Sequence, residues 1–529
     1  ADSMFNFNLS VKIYRSIELL YSSLFALLVA GTSLTSCKDY LDVNDNPNYP
    51  VTTTMSALLP SACASTISQL GLYGDLMGDM WLQFTTQGNT TNQYNTLCNY
   101  SLTVTSYNGF FTNAYTNTLP DLKDVIAMAE QEEAWDYWVI AKVLTAYNYH
   151  MLADLYEDIP FTEALDQEKY PYPHYDDGRT VVYPGILSLL QEAIDKCPQA
   201  AEKSSSYIDT YDMFLEGDIN KWRKFAKNLK LKVLVRDFDA NKQAIQALLD
   251  ENDFLEDDCA FTKFEDATDK GNPLYEYNIR QLNTKVNIRA CHTLVEYLLH
   301  YDDPRIANLY EVTAASNGEG DNSDIYEGLP CGSKPQTSTI ALVESSAYTQ
   351  AYDDPVYLMN KAEIFFLEAE AYARLGNASA AKEKYDNGVK AAFDRWESTT
   401  GMGDAFVAAG GAYAFDATSE ETMMKCIMTQ KWISYAHANA LDGVFDRNRT
   451  GIPAISSAAT VRVSDVALQR DLTPGYELGT LVAPGSSVLQ PTDFPRRLLI
   501  PSRSSQYNPN APVTKNLEEP MWWQVERGK

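Results

Sequence analysis

The sequence predicts a mostly α-helical protein, a scaffold of tetratricopeptide-type hairpins carrying large irregular loop insertions. Three observations lead there. In "WDYWVIAKVLTAYNYHMLADLY" (135–156), Trp135, Trp138, Val139, Val143, Ala146, Tyr147, Met151 and Leu155 recur at helical spacing. The opposite face is also apolar, with Ile140, Ala141, Leu144 and Leu152, so this helix should pack between neighbours. In 362–396, Ala369, Tyr372, Gly376, Ala381, Tyr385 and Gly388 follow the small/aromatic spacing of a helix-turn-helix repeat, although a generic helical hairpin shares part of that pattern. Third, long irregular stretches separate the helices: 397–420 is rich in Gly, Ala and Thr, and 451–515 holds 8 of the 23 prolines.

Taken in order, the chain begins with Lys12 and Arg15 ahead of the apolar run "LLYSSLFALLVA" (19–30), the pattern of an exported signal peptide and too short for a spanning helix. Residues 1–3 precede Met4. Leu34-Thr35-Ser36-Cys37 resembles the bacterial lipobox, which makes 1–36 a lipoprotein signal peptide and Cys37 the lipidated residue. The competing reading is a secreted cysteine near an ordinary cleavage site. Burial of more than one acyl chain makes such an anchor stable. Helical hairpins are expected near 120–165, 183–250, 362–396 and 421–445. Asn377 beside Gly376 suits a cap and turn. No composition shift marks a second domain, so 37–529 reads as one helical domain.

The formal charge of −29 survives removal of 1–36, which carries Lys12 and Arg15 against Asp2 and Glu18. A chain this acidic repels a phosphate backbone, which argues against nucleic acid as a partner. The eight cysteines (37, 63, 98, 197, 259, 291, 331, 426) contain no C-x-x-C. With Cys37 lipidated, seven remain; buried thiols and at most one disulfide, unplaced, are expected. One basic run, "KWRKFAKNLKLKVLVR" (221–236), carries an inward stripe of Trp222, Phe225, Ala226, Leu229 and Val233. Its cations are expected on a solvated face, with an anion site the weaker reading.

The sequence lacks a G-x-S-x-G elbow, an H-E-x-x-H pair and a phosphate-binding G-x-x-x-x-G-K-[ST] loop. "GMGDAF" (401–406) misses the last glycine of a dinucleotide fingerprint, and the five histidines lack ligand spacing. No catalytic residue, metal or cofactor is therefore assigned. The most informative segment is 81–120, which has no Asp, Glu, Lys, Arg or His. It interleaves Trp81, Phe84, Tyr94, Tyr100, Tyr107, Phe110, Phe111 and Tyr115 with Asn, Gln and Thr. A pyranose offers a C–H face to an aromatic ring and hydroxyls to amides, so this chemistry suits a neutral sugar. The same aromatics could instead anchor a long loop onto the core, and a loop can do both. Trp81, Tyr94 and Tyr107 are the stacking candidates, with Asn92 and Asn99 as hydrogen-bonding groups. Trp81, after a helix end, is expected at a loop margin rather than in the core, and Tyr94 and Tyr107 are expected to be exposed on one side.

"SCKDYLDVNDNPN", "LADLYEDIPFTEAL" (152–165), "WRKFAKNLK" (222–230), "DDPR" (302–305), "TQKWISYAHANALDGVFDRNRTGIP" (429–453) and "FPRRLLIPSRSSQYNPN" (494–510) occur in that order. Together they resemble the SusD/RagB-like nutrient-binding lipoproteins, in the branch with an acidic Asn-Pro start. Glu157 departs from the family, which commonly has Gly there, and puts the turn geometry of "YEDIP" in question. The resemblance implies a tetratricopeptide scaffold covered by loops, tethered through 37–50 to the outer membrane and facing the cell surface. It further implies a SusC-like TonB-dependent transporter as partner, which receives the captured ligand. The leading function is then non-enzymatic capture of a neutral oligosaccharide. Peptide capture, a surface polysaccharide hydrolase and an envelope-assembly scaffold are the alternatives. A peptide site should present charges for termini or strand edges, whereas 81–120 is neutral.

Overall fold

The computed structural model describes residues 53–88, 91–313, 325–332, 345–456 and 476–526. The leader, Cys37 and the tether lie outside these residues.

Helix α1 (Met55–Ser68) runs through a π-helical turn, Gln69–Gly74, into α2 (Asp75–Trp81). After the charge-free segment come α3 (Leu119–Glu132) and α4 (Trp135–Tyr156). Glu133, at a left-handed φ of 56°, turns the chain between them. Every residue of α4 except Trp135 and Lys142 is buried, because α3, α5 (Tyr183–Ala200) and α6 (Ile219–Leu234) pack around it. Asp218 caps α6 by accepting from the Asn220 and Lys221 amides. Helix α7 (Phe238–Glu251) closes this half, and α8 (His292–His300) follows a loop region.

The second half is built on α9 (Lys361–Arg374) and α10 (Ala378–Asp394), which pack closely. Gly376, at φ 80°, ends α9, while Asn377 caps α10 by accepting from the Ala380 amide. Gly388 lies under the Phe366 ring, where a Cβ would be 2.8 Å from the ring carbons. The small residues of this hairpin thus set the distance between its helices. Helices α11 (Glu420–Ser434), opened by a Ser419/Thr422 capping box, and α12 (Ala440–Thr450) complete the layer. The molecule is mostly helical, as its sequence predicts. Its described strands form two short antiparallel pairs: β1 (Thr85–Gln87) with β3 (Ile288–Ala290), and β2 (Cys259–Phe261) with β4 (Val356–Met359). They pin loops onto the helices.

The basic run on α6 departs from the expected solvated face. Its apolar stripe is buried as anticipated, but Lys232 is buried too, 2.5 Å from Glu363 on α9 and 2.6 Å from Asp442 on α12. Arg236 holds Asp154 of α4 at 2.6 Å. Arg449 of α12 pairs with Glu370 of α9 and Asp446, which Lys431 of α11 also reaches. Acids on three neighbouring helices meet these cations, so the charges lie inside the layer. Such pairs fix which helices meet more than they add net stability. In the "DDPR" motif, Arg305 forks onto Asp303 and stacks over Phe393 at 4.1 Å, while the Tyr413 hydroxyl donates to Asp303. That motif is structural.

Candidate functional site

Two π-helical turns carry a group of tyrosine and amide side chains, most of them buried. The first, Gln69–Gly74, carries Tyr73; the second, Glu276–Gln281, carries Tyr277 and Asn278. π-turns insert a residue into a helix and often mark functional places. Residues 91–110 are laid across both. The Tyr107 ring stands edge-on to Tyr73, with centroids 5.9 Å apart and an interplanar angle of 90°. Gly109 permits this approach, since a Cβ there would lie 2.9 Å from the Tyr73 ring and 3.3 Å from Gln69 Oε1. Tyr94 donates through its hydroxyl to Asn278 Oδ1 at 3.3 Å, and Gln93 Nε2 donates to the Tyr277 hydroxyl at 2.9 Å. Asn278 in turn donates to Gln350 Oε1 at 3.1 Å and to the Thr284 carbonyl.

The electrostatics of this group are neutral. Burial pushes the Tyr73 hydroxyl up to about 12, and burial also raises Tyr94 and Tyr277, each with further tyrosines nearby. All remain protonated donors and acceptors across the physiological range. The arrangement offers ring edges, phenolic hydroxyls and carboxamides without formal charge. Of the tyrosines, Gln93 and Asn278, only Tyr107 and Gln93, with the neighbouring Asn92, meet solvent. Among the described residues, no set of three or more His, Cys, Asp or Glu is placed to hold a metal ion.

The structure divides the residues singled out in the sequence. Tyr94 and Tyr107 come together in the tyrosine group, with Asn92 exposed in the turn before Tyr94. Tyr107 is half-buried, but Tyr94 is only 4% exposed, so its expected open face is not there; it lies beneath Gln93 and donates inward. Trp81 corrects the expectation more sharply. It is 2% exposed, donates its indole N–H to the Leu97 carbonyl, and meets Tyr100 and Phe494 edge-on at 6.3 Å. The end of α2 is roofed by residues 97–100 and 494, so the helix terminus is not a surface. Asn99 is half-buried and faces another way, against Gly332 and Pro484–Val488.

Sequence reasoning missed Tyr73, Gln93, Tyr277 and Asn278. The only local signal was the glycine pair around "LY" at 71–74, unusual inside an apolar helical run. It also passed over Tyr172, in a loop, and Tyr507, at the end of the short helix Ser502–Tyr507, 55% and 74% exposed; Asn508 and Asn510 join the two segments by donating to the Pro173 and Tyr172 carbonyls.

The fold is a scaffold of helical hairpins, with an uncharged group of tyrosines and amides beneath residues 91–110. The family model SusD-like, described as "Starch-binding associating with outer membrane", matches residues 47–472, and the chain belongs to that family. Solved structures agree on the fold. A SusD-like protein of Bacteroidetes AC2a superposes with a TM-score of 0.69 at 20% identity, covering 90% of this chain and 100% of its own. A chitin-binding protein gives 0.67 at 20% identity, with 89% and 100% covered. A SusD homologue from Bacteroides thetaiotaomicron gives 0.68 at 18% identity, with 89% and 99% covered. The comparison with curated proteins gives no match. No described helix is long and apolar enough to cross a membrane.

Proposed function

We propose that this protein captures neutral oligosaccharides at the cell surface and hands them to a SusC-like TonB-dependent transporter, without catalysing a reaction. The observation that carries the reading is the uncharged tyrosine group built from Tyr73, Tyr94, Tyr107 and Tyr277 with Gln93 and Asn278. Family membership supports it, and a solved neighbour described as chitin-binding shares the fold. In this reading Tyr107 and Asn92 touch the ligand and Tyr94 supports them from below, while Asn99, which faces another way, lies outside the site. Cys37 supplies the lipid anchor to the outer membrane.

Calorimetry of the parent, Tyr107→Ala and Gln93→Ala against neutral oligosaccharides tests the site. Severalfold weaker binding by both variants, with unchanged melting, is expected. Parent-like affinity in both, or binding of peptides with no oligosaccharide bound, would overturn it. Release of reducing ends from a polysaccharide by the purified protein would point instead to a hydrolase.

A further inference from the structure

The described cysteines are all free thiols, and only Cys426 is partly exposed. Two of them meet. Cys291 immediately precedes α8, and residues 328–331 run alongside it: Leu329 N–H donates to the Ala290 carbonyl at 2.9 Å, and His292 N–H donates to the Leu329 carbonyl at 2.8 Å. Cys291 thereby stands opposite Leu329 in a parallel bridge. Gly328 lets the two backbones close, since a Cβ there would sit 2.6 Å from His292 Cα. Two residues past Leu329 comes Cys331, buried like Cys291, and the two thiols are close enough to interact. Cys98 lies nearby but is otherwise engaged, accepting from the Gln87 amide at 3.2 Å and resting 3.4 Å from Met80 Sδ.

We propose that Cys291 and Cys331 form a disulfide when the exported chain folds. This goes beyond the ligand-capture reading and requires only export, where disulfides persist. The thiolate of one of the two cysteines attacks the disulfide of an envelope thiol oxidase, forming a mixed disulfide and releasing one oxidase thiolate. The other cysteine then attacks the protein sulfur of that mixed disulfide, expels the second oxidase thiolate and completes the cross-link. Two protons and two electrons leave the pair, and the oxidase is reduced to its dithiol. Both sulfurs are enclosed in the finished fold, so the exchange precedes closure. The bond ties 291 to 331 and so holds Gly332, whose N–H donates to Thr86 Oγ1 at 3.1 Å and which borders Asn99.

The test uses the full chain expressed with its own leader, denatured and alkylated without reductant, digested and mapped by mass spectrometry. A linked species holding both cysteines, lighter by two hydrogens than its reduced peptides, is expected. Separate alkylated peptides for Cys291 and Cys331, or linkage of either to Cys98, would overturn the proposal. As a second readout, reductant should lower the parent melting temperature by several degrees and leave Cys291→Ser/Cys331→Ser unmoved. A folded parent insensitive to reductant would also overturn it.

Discussion

Glu157 and Arg497, 340 residues apart, meet at the end of α4, where Arg497 Nη2 donates to Glu157 Oε2 at 2.9 Å. Lys515 donates to the same oxygen at 2.7 Å, and the Trp522 amide donates to Oε1 at 3.0 Å. Glu157 itself has φ 71° and ψ −77°, and the Asp158 amide donates back to the Tyr156 carbonyl, which makes a γ-turn. That backbone suits glycine, the residue the resemblance leads one to expect there. Here the strained turn is kept, and the carboxylate clamps the C-terminal segment onto the turn.

Glu157→Ala should therefore cost more stability than Glu157→Gly. Both lose charge-assisted bonds, about 1.5–3 kcal/mol, but alanine also keeps strain of about 1 kcal/mol that glycine relieves. Chemical denaturation of the pair measures the difference. Equal stability of the two variants would remove strain from the account.

Trp81 and Tyr107 should separate cleanly. Trp81→Ala opens the packing against Tyr100 and Phe494 and should cost about 3–5 kcal/mol, visible as a large fall in melting temperature. Tyr107→Ala should leave melting nearly unchanged and weaken oligosaccharide binding by roughly 0.5–1.5 kcal/mol beyond area effects. A Trp81→Ala protein that melts like the parent would place that ring outside the core.

Asp75 and Asp79 lie one turn apart on α2. Burial, then the nearby Asp354 charge, raises Asp75 to about 7; burial and then Asp75 raise Asp79 well above the usual range. Carboxyls with raised values contribute full stability below the unfolded value and lose it as pH rises through the folded one. Asp75→Asn should match the parent near pH 4 and become more stable by about 2–4 kcal/mol above pH 7. Burial of His150 and His437 lowers both to about 3, so they oppose this trend in the parent, losing stability as pH falls below their unfolded values. The variant-minus-parent difference isolates the aspartate. A difference independent of pH would refute the assignment.

On the proposed lipid anchor, which holds through acyl burial, Cys37→Ala should release the domain from membranes while leaving its melting curve unchanged. Sedimentation of that variant with outer membranes after a high-salt wash would rule out the lipid anchor.

Much of the helical frame was legible. The two-faced apolar pattern of 135–156 is the buried helix Trp135–Tyr156, and the small/aromatic spacing of 362–396 is the α9–α10 hairpin. Periodicity records which side of a helix loses water, and that is a local property of the chain. The neutrality of 81–120 was legible for the same reason: composition needs no partner to be read.

Tertiary structure decided the rest. Whether Trp81 faces solvent depends on Phe494, over 400 residues away, roofing its helix end. Whether Lys232 is solvated depends on Glu363 and Asp442 being brought beside it. The tyrosine group exists because two π-turns lie side by side beneath residues 91–110, joining Tyr73 and Tyr107 to Tyr277. The sequence by itself determined the helical class, the family and the uncharged chemistry of the candidate face, since propensity, spacing and composition act over a few turns. Only the fold decided which aromatic rings are core and which are surface, because burial belongs to pairs of segments that meet through long-range packing.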